Sequence, residues 1–311
     1  MEIKRYDSGY SRRWDEFVDR SRQGTFLFKR GYMDYHSDRF EDFSLMAMKG
    51  DEIMAVLPAN VAGSSLYSHQ GLTYGGWLTP VKGFDASVML ELWQHMCRFL
   101  KSAGISVLHY KCVPWIYASC PAEEDRYALF RAGGRLESCQ VSSVVDLAAP
   151  VGFDVNARRN AKKAVAAGVT VGESLDFEGF WRVLSGLLKE RYGTWPVHSL
   201  DEMRLLAGRF PQNIRLYTAT DADGEIVAGV VMYFAGRVAH AQYIAASPKG
   251  KKTGALPLLF GFIFGNCPSC RYFDFGTSCE QGGAYLNEGL LHQKSGFGGR
   301  AVNYESYVAD L

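Results

Sequence analysis

The chain has 311 residues, 47% hydrophobic and 22% charged, with 34 Lys plus Arg against 33 Asp plus Glu and a formal net charge of +1. This ordinary globular balance is long enough for two cores and excludes a molecule drawn as a whole toward polyanions. No apolar run approaches the roughly 20 residues of a membrane span, the first residues carry no apolar leader, and the seven cysteines lack a secreted-domain spacing. The expectation is a cytoplasmic protein with reduced thiols, no membrane insertion, no DNA partner and no metal.

The elements read in chain order as follows. SRRWDEFVDRS (11–21) predicts an opening helix. FSLMAMKGD (43–51) is a strand ending in the turn Gly50-Asp51, followed by strands EIMAVLPANVAG (52–63) and SLYSHQGL (65–72). A helix over 87–103 and the strand ISVLHYKCV (105–113) complete the first half. LAAPVG (147–152) breaks the strand SSVVDL (142–147), which places the boundary between domains 1–150 and 151–311. FDVNARRNAKKAVAAGVTV (153–171) is a basic helix closed by Gly168 and then a short strand. The second half repeats the first: helix FEGFWRVLSGLLKERY (177–192), strand IRLYTATDADG (214–224), strands EIVAGVVMYFAG (225–236) and RVAHAQYIAA (237–246), a helix over 256–264, and the strand RYFDFG (271–276).

Segments 52–63 and 225–236 align without a gap at Glu, Ile, Ala and the closing Ala-Gly, and the same elements surround each copy. A period this long means domain duplication rather than a solenoid. The expected fold class is α/β (α+β), with tandem duplicated domains, each a mixed, mostly antiparallel sheet flanked by helices. The element order in each half is that of a GNAT-like domain.

Three phrases carry a family resemblance. NARRNAKKAVAAGVTV (156–171) resembles the basic helix of the FemA/FemB peptidoglycan-bridge transferases and is similar to BioF-like acyltransferases; YFDFGTS (272–278) and LNEGLLHQKSGFGGRAV (286–302) resemble their strand-end and terminal phrases. The resemblance implies an N-acyltransferase. Its donor would be acyl-CoA or aminoacyl-tRNA, and its acceptor the amine of a nucleotide-linked sugar, a muropeptide or another cell-envelope precursor. The Q/R-x-x-G-x-G/A loop with which GNAT enzymes hold the CoA pyrophosphate is replaced by SPKGKKTGA (247–255). Two other readings stand beside this one: a tRNA-dependent bridge-type transferase, and a non-catalytic carbohydrate- or precursor-binding protein on the same fold.

The candidate site residues follow from chemistry and position. Lys249, Gly250, Lys251, Lys252, Thr253, Gly254 and Ala255 lie between a strand and a helix, where they form either a phosphate cradle or a solvated basic loop. His69, Asp274, Glu280 and Lys294 are the catalytic candidates, as base, orienting carboxylates and oxyanion stabiliser. Tyr74 and Trp77 flank glycines that would let a sugar approach and stack. Arg158, Arg159 and Lys162 crowd a helix suited to diphosphate or RNA phosphates, or simply to solvent. Tyr192 and Trp195 offer an aromatic wall, and His240, Gln242, Asn287 and Glu288 complete the substrate-binding set. Cys267 and Cys270 form a C-x-x-C that reads as incidental loop cysteines.

Overall fold

The computed structural model describes every residue except Pro268, and describes Tyr192 through its backbone alone. The chain divides into two compact units, Met1–Val141 with Cys279–Tyr285 and Asn303–Leu311, and Ser142–Ser278 with Leu286–Val302. A single cut between 150 and 151 therefore does not describe the units, because strand Arg135–Asp146 and the chain after Ser278 each run from one unit into the other.

The first unit contains an antiparallel sheet of Glu2–Arg5, Leu45–Lys49 and Glu52–Leu57. A second sheet holds Asn60–Ala62 and Ser65–Tyr67, the latter running parallel to Val107–Lys111. Pro58 separates Glu52–Leu57 from Asn60–Ala62; lacking an N–H, it cannot continue a ladder. Helix Ala86–Ser102 is started by Asp85, whose carboxylate accepts the N–H of Ser87 and Val88. It buries Met89, Leu92, Trp93, Met96 and Leu100, the helical period of its apolar residues.

In the second unit, Thr170–Ser174, Ile214–Thr220, Ile226–Ala235 and Val238–Ala246 form an antiparallel run. Val238–Ala246 then pairs in parallel with Tyr272–Thr277, through the crossover helix Ala255–Gly265. Ala239, Ala241, Phe273 and Phe275 pack in one core with Leu259 and Phe260 of that helix and with Ala157 and Ala164 of helix Val155–Ala166. Strand alternation turns His240 and Asp274 to the opposite face. There Trp181 of helix Phe177–Tyr192 meets Tyr243 edge-on at 5.4 Å. Both units therefore carry antiparallel strands leading into a β-α-β crossover, as the repeat predicts. A further helix, Leu200–Arg209, begins with a capping box between Ser199 and Glu202 that the sequence displays but that was not among the predicted elements.

Two expectations are corrected here. The strand expected over 65–72 ends at Tyr67, so His69 lies beyond it, at φ +53. The residues expected as a loop at 249–255 are helical: Pro248–Thr253 is one short helix, and Gly254, at φ +84, separates it from Ala255–Gly265. Ser247 nucleates the first turn by accepting the Gly250 N–H, and Pro248 needs no N–H partner at that position.

Burial makes the first unit acid-sensitive. His69 is 3% exposed, and burial together with its neighbour His36 lowers its pKa to about 3. The His36 pKa is lowered as well, first by burial. The unfolded chain takes up these protons below about pH 6.5, while the folded chain resists them. Stability is thus complete above that pH and drains as pH falls toward 3. At pH 5 the His69 contribution alone amounts to a loss of about 2 kcal/mol. Urea unfolding at pH 7.5 and 5.0 should show this loss, and His69→Gln should flatten the profile; equal slopes in both proteins would contradict the assignment.

Candidate active site

The parallel pair in the second unit holds together at Val238↔Tyr272, Ala239↔Phe273 and His240↔Asp274. Beyond His240 the two strands part. Ala241–Ala246 keeps its partner on one edge and, among the described residues, has no strand on the other. A bulge falls at the same place: Met232 pairs with Ala241 and Val231 with Tyr243, which leaves Gln242 without an opposite residue. The N–H and C=O groups on that free edge are hydrogen-bonding positions open to an extended ligand.

At the mouth of the split, Asp274 is fully buried. Its carboxylate accepts from Ser142 Oγ at 2.5 Å and from the Gly276 N–H at 2.9 Å, and lies 3.0 Å from His240 Nδ1. A carboxylate opposite Nδ1 keeps the imidazole proton on that nitrogen and leaves the Nε2 lone pair free, the orientation a general base requires. Gly276 takes φ +75, a left-handed conformation that favours glycine. Lys294, 4% exposed, donates to the carbonyls of Gly276 and Thr277 at 2.8 and 2.7 Å. It therefore braces the segment that carries Asp274 and Gly276, a positioning task in place of the expected oxyanion contact.

Where the free strand edge ends, a cavity of about 270 Å³ opens. Ala246, Gly250 and Lys251 line it after the strand, Gly254 and Leu256 line it at the start of helix Ala255–Gly265, and Asn156 and Asn160 line it from helix Val155–Ala166. Gly254 caps its helix without a side-chain hydrogen bond, so first-turn amides are left for a ligand.

Of the seven residues expected to cradle phosphate, only Gly250, Lys251 and Gly254 reach the cavity. The Gly250, Lys251 and Gly254 amides are used inside the short helix. Lys249 turns away to Asp221 and Asp223, at 2.5 and 2.8 Å. Thr253 Oγ1 donates to the Lys249 and Gly250 carbonyls, Ala255 is buried in the core, and Lys252 does not line the cavity.

The remaining candidates divide clearly. His240 and Gln242 belong to the split strand. His69 is enclosed in the first unit, stacked on His36 at 5.1 Å, so it is no open base. Tyr74 and Trp77 are 2% and 1% exposed, core side chains and no sugar platform. The adjoining glycines serve packing: a Cβ at Gly75 would lie 2.0 Å from the Ser68 carbonyl oxygen. Arg158 and Arg159 are exposed and bond to the Phe153 carbonyl and to Asn156 Oδ1; with the exposed Lys162 they stay off the cavity wall. Asn287 caps helix Glu288–Gly296, and Glu288 is an exposed residue of its first turn. Glu280 is exposed and belongs to the first unit. Trp195 is 65% exposed beneath Lys189, and the Tyr192 side chain lies outside the described residues. Sequence reasoning missed Ser142 and Asn160; the serine is an unremarkable strand residue, and the Asn156/Asn160 spacing was overshadowed by the charges around it.

Residues 154–285 match the family model described as an acetyltransferase (GNAT) domain. No curated protein matches the sequence. Among solved structures, FemX is 12% identical, with a TM-score of 0.72 over 100% of this chain and 98% of that one. The C-terminal domain of a putative lysylphosphatidylglycerol synthetase from Agrobacterium fabrum is 14% identical, with a TM-score of 0.62 over 97% and 91%. A tandem GNAT protein from the clavulanic acid biosynthesis pathway is 11% identical, with a TM-score of 0.54 over 99% and 98%. At such identities the likeness is one of fold, the tandem GNAT and Fem architecture. The acetyltransferase (GNAT) match spans the stretch that carries the strand split at His240–Asp274. Among the described residues no helix is long and apolar enough to cross a membrane.

Proposed function

We propose that the second unit performs N-acyl transfer from a phosphate-bearing carrier, acyl-CoA in the first reading, to the amine of an amino sugar or cell-envelope precursor. The observation that carries this is the strand split at His240–Asp274, with a free edge leading to the cavity beside Gly254. The donor set suits the carrier: an open strand edge for an extended arm, an uncapped helix start and Lys251 for phosphate.

His240 Nε2 takes the proton from the attacking amine, and Asp274 stabilises the imidazolium through Nδ1–H. The new C–N bond forms as the C–S bond of the thioester breaks; the carbonyl oxygen, negative in between, is held by strand-edge amides. The departing thiolate takes up the proton held by His240, which returns the imidazole to its neutral form, and leaves as free thiol, with no covalent enzyme intermediate.

One observation favours a second donor. Helix Val155–Ala166 lines the cavity with Asn156 and Asn160 and presents Arg158, Arg159, Lys162 and Lys163 to solvent. An exposed basic face beside the donor cavity suits an aminoacyl-tRNA, whose ester would break at C–O.

Thiol release from acetyl-CoA and longer acyl-CoAs, measured with amino-sugar acceptors, tests the first reading; release that is amine-dependent supports it. A protein inert to every acyl-CoA, and active with charged tRNA, would replace it with the second. In calorimetric titrations with CoA, Lys251→Ala should weaken binding by about fivefold to tenfold, whereas Lys249→Ala, whose ammonium is turned from the cavity to Asp221 and Asp223, should leave it within about twofold. The reverse ranking would move the phosphate site elsewhere.

A further inference from the structure

Helix Glu124–Arg131 of the first unit is apolar on both sides. Ala128 and Leu129 pack into the core, while Tyr127 and Phe130, spaced to share the outward side, are 45% and 75% exposed. Leu136, just after the helix on strand Arg135–Asp146, is 54% exposed. The carboxylates at the start of this helix are occupied. Glu123 pairs with Arg126 at 3.2 Å, Glu124 pairs with Arg22 at 2.7 Å, and the buried Asp125 accepts from Tyr110 Oη at 2.8 Å. The cations at its other end are not. Arg131 donates to Tyr127 Oη at 3.2 Å, and a groove of about 480 Å³ sets it opposite Arg98 of helix Ala86–Ser102, with Lys101 three residues further along the same side. Arg98, Lys101 and Arg131 are exposed, and among the described residues none of them has a carboxylate partner.

We infer that this face docks on an anionic lipid surface. Aromatic and aliphatic side chains left in water beside unpaired cations have the composition of a peripheral membrane contact: the rings enter at headgroup depth, and arginine and lysine meet the lipid phosphates. The net charge of +1 gives the chain as a whole no such attraction, so it comes from this local surplus of positive charge. The same charge selects the partner. A second copy docked on the same face would set three unpaired cations against three more, whereas an anionic bilayer neutralises them. Two rings and a leucine hold a neutral bilayer only weakly, and each cation adds about fivefold on an anionic one. The attachment is therefore governed by lipid charge and released by salt. It depends on neither the donor nor the acceptor of the proposed transfer, since it can be measured with both absent.

Co-sedimentation of the full chain with vesicles is the test. Vesicles of equal parts phosphatidylglycerol and phosphatidylcholine should carry the protein down, vesicles of phosphatidylcholine alone should bind it at least about tenfold more weakly, and salt raised to about 0.5 M should release it. Phe130→Ser, and Arg98→Glu together with Lys101→Glu, should each weaken binding by about tenfold or more at an unchanged melting temperature, because all three side chains are exposed. Arg158→Glu with Lys162→Glu, on the exposed basic helix of the second unit, should leave it within about twofold. No binding to either vesicle, equal binding to both, or a loss confined to the second-unit pair would overturn the inference. A dimer formed without lipid and dispersed by Phe130→Ser would also overturn it, and would give the face to a second copy of the chain.

Discussion

Asp274→Asn should lower kcat by about 10²- to 10⁴-fold while the protein stays folded and donor affinity changes little. Asparagine keeps one oxygen that can accept from Ser142 Oγ and the Gly276 N–H, so the buried contacts at 2.5 and 2.9 Å largely survive. Its other end is an NH₂, which must face His240 Nδ1 at the 3.0 Å now spanned by the carboxylate. The imidazole then places its lone pair on Nδ1 and its proton on Nε2, the wrong tautomer for accepting a proton from an amine. Asp274→Ala should differ in kind. It leaves the Ser142 hydroxyl and the Gly276 N–H without this acceptor in a fully buried place, at about 1–3 kcal/mol for each unsatisfied group, and the protein should melt earlier. Steady-state kinetics beside thermal melts separate the two effects. Full turnover in Asp274→Asn would remove His240 and Asp274 from the chemistry.

The second large effect is on stability. Gly254→Ala should destabilise the protein by about 3–5 kcal/mol, measured by urea unfolding. The residue sits at φ +84, where an L side chain is strained by about 1–2 kcal/mol. More decisive is the neighbour: a Cβ would stand 2.4 Å from the Asn160 carbonyl oxygen, a backbone atom that cannot rotate away. Helix Val155–Ala166 would have to shift, loosening Ala157 and Ala164 from Leu259 and Phe260. Gly50→Ala supplies the comparison. Its φ is +59 with nothing within 4 Å of the added carbon, so it should lose only the strain of about 1–2 kcal/mol. Equal losses for the two would mean that the contact with Asn160 contributes nothing.

Much of the architecture is legible in the chain. The gapless match of 52–63 with 225–236 announces the duplication, and even its mismatch has a structural meaning. Pro58 stands where Val231 stands in the second copy; the proline interrupts one ladder, and the other carries a bulge between Val231 and Met232. The basic phrase at 156–171 locates the helix that borders the cavity, although the residues that border it are the asparagines between the charges. Asp274 and Lys294 are visible as chemistry-bearing residues because one stands within the strand-end phrase YFDFGTS and the other within the terminal phrase LNEGLLHQKSGFGGRAV.

Other features needed the fold. KGKKTGA looks like a loop because glycine and lysine are common in loops, yet Ser247 and Pro248 start a helix that consumes its amides and sends Lys249 to Asp221 and Asp223. Tyr74 and Trp77 have the composition of a sugar platform and the burial of a core.

The sequence by itself determined the duplication, the order of elements and the polar residues available to each, because hydrophobic period, turn chemistry and internal repetition are local properties of the chain. Only the tertiary structure decided which of those residues meet. His240 and Asp274 are 34 positions apart and become a pair because a parallel crossover sets them opposite each other, and Ser142 joins from 132 positions away. Strand alternation turned His240 away from the core, while the turn beyond Tyr67 carried His69 into a buried place: contacts across such separations depend on register and burial, which no local pattern encodes.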